Sequence, residues 1–476
     1  MKNLLQIFRL PALTMAAFAC AVSALAQEKT VEQYLSEAPF RMSAPTLPTF
    51  PDKAYAITRY GAVGDGQTLC TKAIQAAIDT CAAQGGGRVV VPAGMWLTGP
   101  IDLSSNVNLH VEQAALLLFS GEHQLYADEG GRPRALISGT KLKNVAITGS
   151  GVIDGAGEAW RPLKKSKATE AQWKDFLKRG GVLSDEGDVW WPTEALKKKD
   201  SRPYMVMLKS CQNVLVEGVA LRNSPNFMLY PNSCNEVTIR HISVFNEWWA
   251  QNGDGIDISA SRNVVVYACE VSAGDDAICL KSSGDTPDKQ PYVENVLVAA
   301  CNVYRGHGGF VIGSNTNGGV ANVFVTDCSF LGTDVGIRMK SNSGRGGAVT
   351  NVHIHNIYMA DIADDAIHVD TYYLNVPAGV SRTDAARQAS NEKIPNFGGV
   401  FLKNIRCRGA KRAAYLRGLP SQPVHDFSLE DISITAHEGF YADYAADFSF
   451  KNVTITTKSG ENTYVLEHCS NVNPQQ

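Results

Sequence analysis

The chain has almost no charge of either sign to spare. Forty-four Lys and Arg stand against forty-seven Asp and Glu in 476 residues, a formal net charge of −3. That excludes the strong basic field with which a protein holds nucleic acid. The 42 glycines follow no G-X-Y period and there are only 20 prolines, so a collagen-like rod is excluded. No stretch after residue 26 reaches eighteen uninterrupted apolar residues, so no membrane-inserted helix is expected. No CxxC pair and no clustered Cys/His spacing occurs, which argues for buried free thiols and against a metal site. What is present in quantity is apolar side chain, 44% of the residues against 19% charged, enough for a large core.

Residues 1–26 read as a secretory signal peptide. Lys2 and Arg9 bracket the basic region, Leu10 to Val22 is a short apolar stretch, and Ala24-Leu25-Ala26 is an A-x-A cleavage site. The protein is therefore expected to be secreted or periplasmic. Residues 27–54 are rich in proline and form a lead-in rather than a domain. Residues 55–476 are expected to form one unit, with insertions near 161–202 and 374–397.

The main structural signal is repetition. Asn-Val or a near relative, followed by alternating apolar residues, recurs at Asn144, Asn213, Glu236, Asn263, Asn295, Asn322, Asn351 and Asn452. Each unit also carries a second short apolar run, such as Gly255-Ile256-Asp257-Ile258, Ala277-Ile278-Cys279-Leu280 and Gly309-Phe310-Val311-Ile312. Short β-branched runs bounded by Gly, Asn and Ser turns are strands. Two or three strands in about thirty residues leave no room for a crossover helix. A chain that returns to the same place in this way winds a parallel β-helix, an all-β, single-stranded, right-handed solenoid. Asn at the fixed turn position is suited to left-handed backbone and to hydrogen bonding its equivalents on neighbouring coils. Cys269, Cys301 and Cys328 share one place in the repeat and should form an interior row. Cys211 with Cys234, or Cys70 with Cys81, are left open as pairs. Thr68 to Ala83 should be an N-terminal capping helix with Leu69, Ala73, Ile74, Ala77 and Ile78 on its apolar stripe, stopped by Gly85-Gly86-Gly87.

Polar residues break the apolar pattern on consecutive coils: Asn252-Gly253-Asp254, Asp275-Asp276, Gly306-His307-Gly308 and Arg338-Met339-Lys340. Taken singly, each Asp reads as a turn residue, His307 as a loop residue and the two cations as a solvated face. Recurring at about one coil spacing, they should share one face. Coils stack about 4.8 Å apart, so four coils gather these groups within roughly 15 Å. Three carboxylates, an imidazole and two cations in one groove suit hydrolysis. A carboxyl flanked by two carboxylates should have its pKa raised and keep a proton.

These motifs resemble those of the polygalacturonases of glycoside hydrolase family 28, whose pattern is NTD, DD, GHG, RIK and a downstream Tyr. Here Gly253 replaces Thr and Met339 replaces Ile, and the Tyr is Tyr373 or its neighbour Tyr372, with Tyr373 favoured. Tyr60-Gly61-Ala62, Gly64-Asp65-Gly66 and Gly151-Val152-Ile153-Asp154-Gly155 fit as well. The resemblance implies a pectin-lyase-like β-helix that hydrolyses α-1,4-galacturonosyl linkages of polygalacturonate with inversion and no cofactor. It implies Asp275 as general acid, Asp254 and Asp276 as holders of the attacking water, and His307 as support for the acid. Arg338, Lys340, Asn252 and the Tyr would bind substrate. Carboxylates on adjacent coils stand at a spacing that the usual rule assigns to retention; the family resemblance favours inversion.

Residues 161–202 hold eleven Lys and Arg against seven Asp and Glu, with Trp173, Trp190 and Trp191. This segment resembles those of bacterial exo-acting relatives and is expected to wall off one end of the groove, although a surface insert with a basic face accounts for the composition too. Residues 374–397 look like a second wall. Trp248 and Trp249 either stack on sugar or pack beside the groove. The alternatives are endo attack, cleavage of rhamnogalacturonan, a Ca²⁺-dependent lyase on the same fold, and a non-catalytic carbohydrate-binding solenoid. His307 favours homogalacturonan, since rhamnogalacturonan hydrolases generally lack the GHG histidine.

Overall fold

The computed structural model describes residues 28–474 apart from 129–131, 199, 284–291, 374–392 and 459–462. The signal segment and most of the second insertion lie outside the described residues.

Parallel pairing between residues one coil apart builds a single stack. Val107, Val145, Val214, Val237, Val264, Val296, Val323, Val352, Val400, Phe427 and Phe448 follow one another in register. All are buried. Each coil therefore sets its apolar side chain on its equivalents above and below, and each strand's backbone groups are satisfied by the next coil. Such a core is a column, and the parallel β-helix follows from it.

Asparagine fixes the turn before this column. Asn144, Asn213, Asn263, Asn295, Asn322 and Asn351 all have positive φ, between 53° and 57°. Their side chains form a ladder: Asn322 Nδ2 donates to Asn295 Oδ1 at 3.0 Å, and Asn295 Nδ2 donates to Asn263 Oδ1 at 3.0 Å. Glu236 (φ 58°) takes the turn on its own coil. There Asn263 reaches back to Asn235 at 2.9 Å.

Cys269, Cys301 and Cys328 are buried in the core as expected. All ten cysteines among the described residues are free, including the two pairs left open above.

The capping helix spans Thr71–Ala83 and buries Ala73, Ile74, Ala77, Ile78 and Cys81. It starts three residues later than the apolar stripe suggests. Asp65 Oδ1 accepts the Gln67 and Thr68 amides at 2.8 Å each, which holds this stretch in a turn and the short strand Asp65–Leu69. Leu69 is consequently 47% exposed and outside the stripe.

In the lead-in, the helix Val31–Glu37 carries a Thr30–Gln33 capping box. Its Tyr34 packs outside the coils against Val265, Leu297 and Phe324.

The first insertion is a small subdomain. It holds a helix, Glu170–Lys178, and a three-stranded sheet of Leu163–Lys164, Val189–Trp191 and Val182–Leu183. Leu163, Trp173, Phe176 and Trp190 form its own core. Two buried arginines hold its ends to the coils. Arg161 donates to Ser224 O, Asn246 Oδ1 and Asn223 Oδ1. Arg202 donates to Pro225 O, Gln251 O and Asn252 Oδ1.

Candidate active site

Four strands on one face of the stack carry the predicted motifs: Ile256–Ser259, Asp276–Lys281, Gly308–Gly313 and Ile337–Lys340. Ile256 pairs with Ile278, and Asp276 with Gly308. This register brings Asp254, which precedes the first strand, level with Asp276, and Asp275 level with His307. One carboxylate oxygen from each of Asp254, Asp275 and Asp276 lies within 4.8 Å of the others. The expected convergence of the three acids is therefore present.

Arg338 and Lys340 lie on the fourth strand and line the same groove as the acids, but further along the strands than the motif spacing alone shows. Arg338 is not in register with His307; it pairs with Val311, which pairs with Cys279, which pairs with Asp257. The 31-residue step from His307 to Arg338 contains a slip of four positions along the strand. Lys340 pairs with Gly313 and stands two coils from Lys281. At Gly313 (φ 102°) a Cβ would meet Lys340 O at 2.0 Å, so glycine is required there.

Lys281 and Asp257, which sequence analysis missed, complete the floor. Lys281 Nζ lies 3.0 Å from Asp254 Oδ2, 2.6 Å from Asp257 Oδ1 and 3.8 Å from Asp276 Oδ2. Lys340 Nζ lies 2.8 Å from Asp276 Oδ2, so its ammonium is committed to that carboxylate. The three acid oxygens are spaced as a cation site would be, but the two ammonium groups already supply the positive charge there. A signal for both missed residues is visible in the sequence: each is a charge inside or ending a short apolar strand, one coil apart.

Burial pushes the Asp254 carboxyl well up, reinforced by Asp257 and opposed by Lys281. Burial likewise pushes Asp257 to about 6 against the pull of Lys281. For Asp275 burial works in the same direction but is outweighed by the hydrogen bond of His307, with Lys340 and Lys281 behind, and its pKa falls below the ordinary carboxylate range. Asp276 is likewise lowered, burial being outweighed chiefly by Lys340. The expectation of a raised pKa on Asp275 is thus corrected: burial raises Asp254 and Asp257 despite the nearby Lys281, whereas His307 and Lys340 outweigh burial at Asp275 and Asp276.

His307 Nδ1 is 3.1 Å from Asp275 Oδ1. Arg338 Nη1 donates to His307 O at 3.2 Å, and its Nε is buried without a hydrogen-bond partner. Asn252 lines the groove, with its Oδ1 held by Arg202 at 2.7 Å. Tyr373 also lines it, with Arg338 and Lys340 5.7 Å and 5.3 Å from its ring centre. Tyr372 turns away to Arg417, 4.2 Å from its ring centre. Trp249 packs on Phe176 of the insertion, at 5.6 Å between ring centres. Trp248 is 44% exposed.

The groove has a volume of about 1320 Å³ and is lined by ten Lys and Arg side chains against six Asp. A chain that is slightly acidic overall has thus collected cations here, as an anionic ligand requires. Lys164, Lys167, Trp191, Lys197 and Lys198 of the insertion are among the lining residues.

A family model for glycosyl hydrolases family 28 matches residues 81–179 and 174–473. The chain belongs to this family and is a glycoside hydrolase. Among its relatives is the exo-poly-alpha-D-galacturonosidase of Dickeya chrysanthemi, 28% identical over 467 residues, covering 90% of this chain and 75% of that one. The endo-polygalacturonase of Pectobacterium carotovorum subsp. carotovorum is 26% identical over 405 residues, covering 82% and 88%. The solved exopolygalacturonase of Thermotoga maritima superposes with a TM-score of 0.72 at 29% identity, covering 89% of this chain and 95% of that one. With these neighbours the fold is the right-handed parallel β-helix of the family.

Proposed function

We propose that this glycoside hydrolase cleaves α-1,4-galacturonosyl linkages of polygalacturonate, from a chain end and with inversion. The observation that carries this reading is the set of three convergent carboxylates on the floor of a groove whose walls are predominantly cationic. A neutral glycan would have no use for those walls. A galacturonate chain presents one carboxylate per sugar, and Arg338, with its buried unpartnered Nε, suits a planar grip on one of them.

Asp275 is the general acid, the most exposed of the three, with 19% of its side chain accessible against 4% for Asp254 and 3% for Asp276. An anionic sugar over Asp275 removes it from water and sets a negative charge beside it, and both effects raise its pKa. The proton held by the cluster then serves the leaving oxygen. Asp276, ionised, takes the proton of the attacking water, and Asp254 orients that water through its buried, unpartnered Oδ1. The spacing of the acids is short for inversion by the usual rule. The low exposure of Asp254 and Asp276, 4% and 3% of each side chain, supports the inverting reading, since it disfavours direct attack by either carboxylate on the sugar carbon. No cofactor enters this scheme.

Exo attack is supported by the insertion, whose Lys164, Lys167, Trp191 and Lys197 line the groove beside the acids and would wall off one end of it. The relatives' names divide between exo and endo. Digesting polygalacturonate and sizing the early products tests the reading. Release of short units from the outset is expected; mixed oligomers would mean endo attack. An unsaturated, ultraviolet-absorbing uronide lost on chelation would mean a lyase. No new reducing ends would mean a binding solenoid. The anomer formed first, read by NMR, tests inversion. We place the protein outside the cytoplasm, secreted or periplasmic, and expect the mature chain to begin after Ala26.

A further inference from the structure

Lys167 belongs to the short turn Lys165–Lys167 at the entrance of the insertion and is half-buried. Its Nζ lies 2.9 Å from His307 Nε2, and His307 Nδ1 lies 3.1 Å from Asp275 Oδ1. An ammonium group has three donors and no acceptor. Nε2 is therefore the accepting nitrogen. A neutral imidazole that accepts at Nε2 carries its proton on Nδ1, which then donates to Asp275. Among the described residues the other acid near this ring is Asp334, with Oδ2 3.7 Å from Nε2. Left alone, Asp334 would favour a proton on Nε2. The remaining cations close by are Lys164, which neighbours Lys167, and Arg338, on the His307 carbonyl.

We propose that Lys167 is a positioning residue that fixes His307 as the neutral Nδ1–H tautomer, so that docking of the insertion on the coils sets up the donor to the acid Asp275. The proposal rests on the reading of Asp275 as the acid. It goes beyond a wall at the groove's end: the wall and the catalytic centre are joined through one hydrogen bond.

The test is imidazole ¹⁵N NMR on the full chain labelled at histidine, with the His307 signals identified by their loss in His307→Gln. In the parent, Nε2 is expected to show the shift of an accepting nitrogen and Nδ1 that of a protonated one. In Lys167→Met, Nε2 should gain a proton, and kcat on polygalacturonate should fall about tenfold with KM within about twofold. Lys167→Arg, which again has donors only, should restore the parent tautomer and most of kcat. An unchanged tautomer in Lys167→Met overturns the proposal. So does a raised KM with kcat intact, which would make Lys167 a contact for a sugar carboxylate. Should Lys167→Met disturb the other histidine signals, Lys167→Arg, whose guanidinium has donors only, must still retain the accepting Nε2, and its loss there overturns the proposal. The NMR result needs no substrate. A parent that fails to cleave polygalacturonate therefore counts against the proposed function and not against the tautomer.

Discussion

The Lys281 ammonium lies 2.6 Å from Asp257 Oδ1, with Asp257 fully buried beneath the floor of the groove. The same ammonium reaches Asp254 at 3.0 Å. One lysine thus serves as counter-ion to Asp257 and Asp254 at once. This explains how four carboxylates, Asp254, Asp257, Asp275 and Asp276, occupy adjacent coils without forcing the fold apart.

Lys281→Met should destabilise the protein by about 3–5 kcal/mol, because it leaves buried carboxylates without their counter-ion. Asp257→Asn alone should cost less, and the double variant should be more stable than the sum of the two losses predicts. A double-mutant cycle by denaturant unfolding measures this. Strict additivity would mean that the pair does not act as a unit.

The pH dependence of stability carries a second signature. Asp257 ionises at its ordinary 3.8 in the unfolded chain but only at about 6 in the fold. Between those values the folded state binds more protons, so this group's contribution to stability falls as pH rises from 3.8 to about 6. Asp276 has the opposite sign: its pKa is lowered, so its contribution is present above the ordinary carboxylate range and fades as pH drops below it. In Asp257→Asn the fall in melting temperature across pH 4 to 6 should be shallower than in the parent. Identical slopes would show that Asp257 is not the group responsible.

Asp275→Asn keeps the shape of the side chain and removes the acid. Turnover of polygalacturonate should fall by about 10²–10⁴-fold, while the melting temperature stays close to that of the parent. Near-normal activity in this variant would reject the assignment.

The winding of the chain is legible because its cause is local and periodic. An αL-tolerant Asn followed by an alternating apolar run says where each coil turns and which side chains enter the column. The acids were legible for the same reason, since Asp254, Asp275 and His307 sit at the turn before a strand. Arg338 shares the acids' face, as its spacing suggests. Residue counts between motifs conceal a four-position slip along the strand, which only pairing with Val311 reveals. Asp257 and Lys281 escaped because a charge within an apolar strand has no visible partner until coils are stacked. Lys167 lies 140 residues from His307 in sequence, in an insertion without the repeat, so no period points to it. Helix entry at Thr71 rather than Thr68 came from side-chain capture of amides by Asp65, a local competition that the apolar stripe does not register.

Trp249 ties the insertion to the coils. Its ring meets Phe176 edge-on at 5.6 Å, and the Arg161 guanidinium lies 5.1 Å from its centre. Trp249→Ala should remove about 2 kcal/mol of local stability, loosening the subdomain that carries Lys164 and Lys167 without touching the three acids. If the insertion is what confines attack to a chain end, early digests by this variant should contain a larger share of longer oligomers than those of the parent. Proteolysis within 161–202 should quicken in parallel. A variant that is cut faster there yet releases the same products would show that the groove ends elsewhere.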